Sequence, residues 1–367
     1  MLRHGDKRGN GRWRIDSGGD YRMLDFAGPL AVPWLSAQPR SFMRVTLAVP
    51  KLLAVERSAL AGVPALARLD RYAGPFIAEP RGFDAALLVA AGQSRDAPTA
   101  PLAALGAGFD PGDALVLRAD PVTLIAGRDD VLLAGRVDDL DAADATSMIA
   151  TLNHHFAADG LAFHAPRPDA WFVTTSVAAP SITTELSEVS GPIHAHLPRG
   201  EHAKAWRQWL SEIQMLLHEH PVNVAREAAG RAPVTGLWLA GSGVRTNSRA
   251  PVAATMFAAP GLSGDVARGL ADAQSLPADF AGLPAVDHAI VVLPAVTDVP
   301  AMSALAAAWI DPAVRSLERR ALSSLALVAD GTGGAFTWQA PAPSWWQRLR
   351  ARFAAPAFGV PGPGDSP

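Results

Sequence analysis

Residues Glu201-His-Ala-Lys-Ala-Trp-Arg-Gln-Trp-Leu-Ser-Glu-Ile-Gln-Met-Leu-Leu-His-Glu-His-Pro-Val-Asn-Val-Ala-Arg-Glu-Ala-Ala-Gly-Arg-Ala-Pro-Val-Thr-Gly-Leu-Trp-Leu-Ala-Gly-Ser-Gly243 set two helices directly before a strand. Trp206, Trp209, Leu210, Ile213, Leu216 and Leu217 recur at helical spacing and predict a helix over 201–220, closed by Pro221. A shorter helix over 222–229 stops at Gly230. Gly236-Leu-Trp-Leu-Ala240 then reads as an apolar strand entering a tight turn at Gly241-Ser-Gly243.

The same mixing of helical and extended patterns continues on both sides. Upstream, 43–49 alternates as a strand, and 57–73 carries an apolar stripe that Pro64 must kink or restart. Residues 83–91 read as a helix, and 114–126 and 131–134 as a hairpin about Gly127-Arg-Asp-Asp130. Asp141 caps a helix that ends at Gly160, and 161–164 and 171–176 are extended. Downstream come a strand over 251–258, a helix over 263–274 and a strand over 287–294. A helical stretch over 299–322 follows, stepped at Pro312, then a hairpin about Asp330-Gly-Thr-Gly-Gly334. Interleaved strands and helices make the class α/β or α+β, a mixed sheet flanked by helices. The globular region spans 43–353, with a sub-domain around 114–200.

Composition limits the function. With 367 residues, 49% apolar and 18% charged, the chain can bury a large core. A net charge of −3 calls for no nucleic-acid partner, and zero cysteines exclude disulfides, thiolate metal sites and cysteine nucleophiles. Residues 1–42 mix Arg, Lys and Asp with Gly and Pro and read as a disordered extension, not a signal peptide. The Pro/Gly-rich tail over 354–367 reads the same way. No apolar run is long enough to span a membrane, which places the chain in the cytoplasm.

Several groupings invite a functional reading. Eight of ten histidines fall between 154 and 220. His194-Ala-His196 would share a face if extended, but no third ligand has metal-site spacing, and surface and capping roles suffice. Gly241 and Gly243 could cradle an anion with backbone amides, yet they lack the residues of a P-loop and read first as a turn. Asn223 and Arg226, three apart on a helix, could grip a phosphate or carboxylate; equally, one could cap and the other pair with an acid. Asn153, His155 and Asp159 raise the same two options. Trp345, Trp346, Arg348, Arg350 and Arg352 form a basic amphipathic helix that either docks its tryptophans on the body or meets a membrane surface or a protein partner.

The run 211–243 closely resembles a proteobacterial family of RpfE-type regulatory proteins, also described as phosphoglycerate-mutase-like. Ala119-Asp-Pro-Val122, Leu152-Asn-His-His-Phe-Ala-Ala-Asp-Gly-Leu161 and the Trp-rich C-terminal helix support the match. Thr235 and Ala240-Gly-Ser-Gly243 depart from it, where the family has Asn and Trp-Gly-Gly-Gly. His220-Pro-Val-Asn223, Arg226 and Gly230 also resemble the archaeal-type cofactor-independent phosphoglycerate mutases of the alkaline-phosphatase-like superfamily.

That superfamily implies two metal ions, Mn or Mg, and a nucleophilic serine. Here its Asp-Gly metal motif has no counterpart near Met43. No His follows Thr297-Asp298, and Gly331 stands after Asp330 where the family has His. The resemblance therefore implies the scaffold and a ligand cleft without the mutase reaction. The expectation is a cofactor-free, non-catalytic regulatory or ligand-binding protein, taking a small phosphorylated or carboxylate ligand. Its candidate binding residues are Asn153, His155, Asp159, His220, Asn223, Arg226, Gly241 and Gly243. One alternative is an active metal-dependent phosphomutase or phosphatase acting on a phosphorylated sugar acid, with rearranged metal ligands at Asp298, Asp330 and histidines of the 154–220 region. A second is a structural protein that captures a partner through Trp345 and Trp346.

Overall fold

Strand β1 (Met43–Val49) ends at Pro50 and Lys51, which begin the connection to α1 (Arg57–Ala61) and α2 (Pro64–Asp70). The computed structural model describes residues 43–351 except 129, 181, 182, 187, 188, 190, 246–250, 332 and 333, together with 358 and 359. The expected extension over 1–42 lies outside these residues, as does all of the expected tail but Phe358 and Gly359. Phe358 packs on Trp338 at 5.2 Å between rings, and the Gly359 amide donates to Asp70 Oδ2.

Pro64 opens α2 at a position where no amide is needed, so the stripe over 57–73 becomes two helices. Then follow β2 (Ile77–Glu79), α3 (Gly82–Ala90) and α4 (Thr99–Gly106). The sequence gives no sign of α4, because Thr99 through Ala104 are buried on every side and leave no amphipathic period. The hairpin β3 (Leu115–Ala126) and β4 (Val131–Arg136) forms as read. Helix α5 (Ala142–Phe156) is capped by Asp141, which accepts from the Asp144 amide, and the chain leaves it through Gly160 at φ 72. Strands β5 (Leu161–Arg167) and β6 (Ala170–Thr175) precede α6 (Ala203–His218), α7 (Pro221–Ala228) and β7 (Gly236–Gly243).

The last third runs β8 (Thr255–Ala258), α8 (Leu262–Leu270), β9 (Gln274–Ser275), β10 (His288–Val292), α9 (Val299–Leu305) and α10 (Asp311–Glu318). A π-helical turn over Ala306–Ile310 joins α9 to α10, accommodating the step expected at Pro312. Strands β11 (Leu322–Gly331) and β12 (Gly334–Pro341) form the second hairpin, and α11 (Trp345–Ala351) follows.

The strands make two sheets. Seven lie in the order β2-β12-β11-β1-β10-β8-β9, parallel from β11 to β9 and antiparallel at β12 and β2. The second sheet is antiparallel and centred on β3, with β7 along one edge and β6 then β4 along the other. Pro121, which has no amide to donate, falls between the β6 and β4 pairings. The segment 114–200 supplies β3, β4, β5 and β6 of this sheet, and β7 completes it.

Alternation along β1 sends Val45 and Leu47 to one face, with Leu66, Trp309, Val314 and Trp338. Ala48 faces the other way, onto Leu87, Leu102, Val266 and Ile290 of a layer built from α3, α4, α8 and the sheet itself. Val116 and Phe172 of the second sheet pack on this same layer, while Leu117, Trp171 and Val173 face α5 and α6. The layer is thin because α4 and α8 cross closely. A Cβ on Gly269 would lie 1.8 Å from the Leu102 carbonyl oxygen.

Candidate functional site

The parallel strands β1 and β11 end at Val49, two residues before Lys51, and at Gly331, and the opening beyond such carboxyl ends is where α/β sheets hold ligands. Here it is a cleft of about 500 Å³. Lys51, Ala295, Asp330 and Gly331 form its first-sheet wall; Arg118, Leu133 and Arg136 form the facing wall. Phe83 and Asp84 of α3, Leu262 of α8, Asp169 and the loop residues Glu185, Leu186 and Val189 complete it.

Arg118 is the centre of its charge. The guanidinium reaches Asp84 at 2.9 Å, Asp120 at 2.8 Å and Glu185 at 3.9 Å. Burial opposes its charge, but Asp120, Asp84 and Glu185 outweigh that and hold its pKa above the ordinary arginine value. Arg136 pairs with Asp120 at 3.3 Å and Asp138 at 3.0 Å and donates to the Asp169 carbonyl. Burial pushes the Glu185 carboxyl up to about 7, with Arg118 pulling it down and Asp84 and Asp120 raising it. Glu185 also accepts from Thr99 Oγ1 at 3.2 Å. Asp330, 5% exposed, accepts from the Lys51 amide at 2.6 Å, and burial raises its carboxyl to about 6.

None of the eight expected ligand-binding residues lines this cleft. Asn223 is 1% exposed and spends its amide on backbone, donating to the carbonyls of Leu217 and Val234 and accepting from the Val234 amide. Arg226 is 0% exposed; it donates to the Ala232 carbonyl at 2.8 Å and pairs with Asp139. Both groups fasten α7 to the segments around it, the structural option of the two. His220 caps α7 through Nδ1, its Nε2 lies 3.1 Å from Thr151 Oγ1, and burial lowers its pKa. Asn153 pins α5 to β5 by exchanging two hydrogen bonds with the backbone of Phe163. His155 and Asp159 are exposed, His155 beside Glu212 at 3.1 Å.

Three local expectations are corrected. Gly241-Ser-Gly243 is not a turn: β7 continues through it, with Gly241 at φ 68 where the pairing to β3 shifts register. The glycines are packed closely on the segment before and into α4: a Cβ on Gly241 would meet Thr99 Oγ1 at 2.2 Å and one on Gly243 would meet Pro98 at 2.3 Å. His194 lies in a 3₁₀ turn over Ile193–Ala195 with His196 just after it, so the two do not share a strand face. Trp345 and Trp346 do not dock on the body; they stack on each other at 3.6 Å and are 56% and 57% exposed.

The donors do not fit a pair of divalent ions. Among the described residues no histidine lines the cleft, and Asp84 and Glu185 face Arg118. Asp298 caps α9, accepting from the Ala301 amide at 2.7 Å, and does not line the cleft with Asp330. Among the described residues, no three His, Asp or Glu are grouped to hold a metal.

Residues 99–223 match the family model for 2,3-bisphosphoglycerate-independent phosphoglycerate mutase. Over 109 residues, 29% of this chain, the sequence is 33% identical to 2,3-bisphosphoglycerate-independent phosphoglycerate mutase 2 of Methanothermobacter thermautotrophicus, covering 27% of that protein. Over 72 residues, 19% of this chain, it is 36% identical to the corresponding mutase of Methanothrix thermoacetophila, covering 18% of it. The matched stretches thus span about a quarter or less of these relatives. Among solved structures, the PH0037 protein of Pyrococcus horikoshii is similar with a TM-score of 0.43 and 15% identity, covering 81% of this chain and 87% of that one. The cofactor-independent phosphoglycerate mutase of Thermoplasma acidophilum gives 0.35 and 15%, covering 81% and 88%. The family match takes in Arg118, Arg136 and Glu185 of the cleft but not Lys51, Asp84 or Asp330.

Proposed function

We propose that this chain is a non-catalytic ligand-binding protein with a regulatory role, on a phosphoglycerate-mutase-like scaffold. The match over 99–223 supports the scaffold. The observation that carries the non-catalytic reading is the guanidinium of Arg118 among Asp84, Asp120 and Glu185. Two-metal phosphoryl transfer needs carboxylates free to clamp cations, and a guanidinium held by three of them takes that place. The regulatory role and kinship with RpfE-type proteins rest on the resemblance of 211–243. No helix among the described residues is long and apolar enough to cross a membrane, and action in the cytoplasm is part of the same proposal.

Metal stoichiometry tests this reading. After dialysis of the full chain against micromolar Mn²⁺, fewer than one ion per chain is expected. Two tightly held ions per chain, lost on changing Asp330 or Asp298, would support the metal-dependent phosphomutase instead.

A further inference from the structure

Among the described residues, one carboxylate of the cleft has no ion pair. Of the five acids that line it, Asp84 and Glu185 lie within 4 Å of Arg118, Asp138 of Arg136 and Asp169 of Arg167. Asp330 has no such cation among the described residues, although it is 5% exposed and sits on the wall. Its Oδ1 takes the Lys51 amide; the Lys51 side chain is exposed, and its charge favours the carboxylate only from a distance, without an ion pair. A buried carboxylate without a close ion pair is costly, and a bound cation reduces that cost. Anions meet the opposite situation, because Arg118 and Arg136 are already engaged by Asp84, Asp120 and Asp138. The same cavity is lined by Phe83, Leu133, Leu186, Val189 and Leu262, which suit an aliphatic body better than a hydrated metal ion.

We propose that the cleft binds an organic cation, a primary amine with an aliphatic body, its ammonium hydrogen-bonded to Asp330 and its carbon chain against Phe83 and Leu186. This rests on the ligand-binding reading above, with a cationic ligand in place of the phosphorylated or carboxylate one expected from the sequence. No covalent step is involved.

Hexylamine, methylamine, hexanoate and Mn²⁺ alone are titrated into the full chain and into Asp330→Asn, with binding read by calorimetry and protein-observed NMR. Hexylamine is expected to bind and to bind more tightly than methylamine. Its affinity should fall about tenfold or more in the asparagine variant, and hexanoate should not compete. Asparagine keeps an acceptor for the Lys51 amide, and circular dichroism confirms that the variant is folded. Equal binding of hexylamine and hexanoate, no hexylamine binding, an unchanged affinity in Asp330→Asn, or Mn²⁺ occupying the Asp330 site in place of the amine would each overturn the proposal. Turnover of 3-phosphoglycerate, measured separately, would overturn the non-catalytic reading without deciding which cation Asp330 holds.

Discussion

The Lys51 amide donates a 2.6 Å hydrogen bond to Asp330 Oδ1, tying the ends of the adjacent parallel strands β1 and β11 at the cleft. Lys51 holds φ 59 to do so, a left-handed conformation that costs a side-chain-bearing residue about 1 kcal/mol. Backbone strain and a buried carboxylate thus meet at one point.

The buried acids make stability fall as pH rises. The folded state favours neutral Glu185, whose pKa is about 7 against an ordinary 4.5. The folded chain therefore binds more protons than the unfolded chain between those values. The stabilisation is fully present below pH 4.5 and is lost as pH rises through 7. The loss is on the order of 3 kcal/mol at most. Asp330 contributes in the same sense between 3.8 and about 6. Urea midpoints at pH 5 and pH 8 should differ in the native chain, and Glu185→Gln should narrow the gap by stabilising the protein at pH 8.

Asn223 and Arg226 act on stability. Asn223→Ala leaves the Leu217 and Val234 backbone groups without partners, a cost of about 2–3 kcal/mol. Arg226→Ala removes a fully buried cation from its carbonyl and carboxylate partners, a cost of about 3–5 kcal/mol. Both should lower the urea midpoint while leaving ligand affinity at the cleft unchanged in the folded fraction.

Gly241→Ala should cost about 2–3 kcal/mol, because the methyl would meet Thr99 Oγ1 and the residue would be held at φ 68. Chemical denaturation reads it directly. A neutral result would mean that α4 is not packed on β7 as closely as the structure shows.

Trp338 on β12 and Trp346 on α11 behave oppositely. Trp338→Ala removes a core side chain 1% exposed and should cost about 3–5 kcal/mol. Trp346→Ala removes one that is 57% exposed and should cost less than about 1 kcal/mol. Thermal unfolding of the pair checks this, and a large loss for Trp346→Ala would mean that the helix does dock.

Elements with one wet face were legible in the sequence. The stripe of α6, the Asp141 cap and both hairpins carry periodicity or turn chemistry that local physics reads directly. Helix α4 was not, because burial all round erases the period. The strand through Gly243 was missed because Gly-Ser-Gly signals a turn locally, while the glycines are required by Thr99 and Pro98 from another element. The cleft shows the same limit. Asp330 could be singled out, but Asp84, Arg118 and Glu185 come from α3, β3 and a loop, and no spacing links them. Conversely, Asn223 and Arg226 carry the polar signature of a ligand grip, and only the fold reveals that backbone and Asp139 already occupy them.

The most direct measurement is interconversion of 3- and 2-phosphoglycerate by the purified chain, followed by ³¹P NMR with Mn²⁺ or Mg²⁺ present. A cleft in which Arg118 holds Asp84 and Glu185 should give no turnover above the protein-free rate, under conditions where an archaeal mutase converts the substrate. Metal-dependent turnover abolished by Asp330→Asn would contradict the non-catalytic reading.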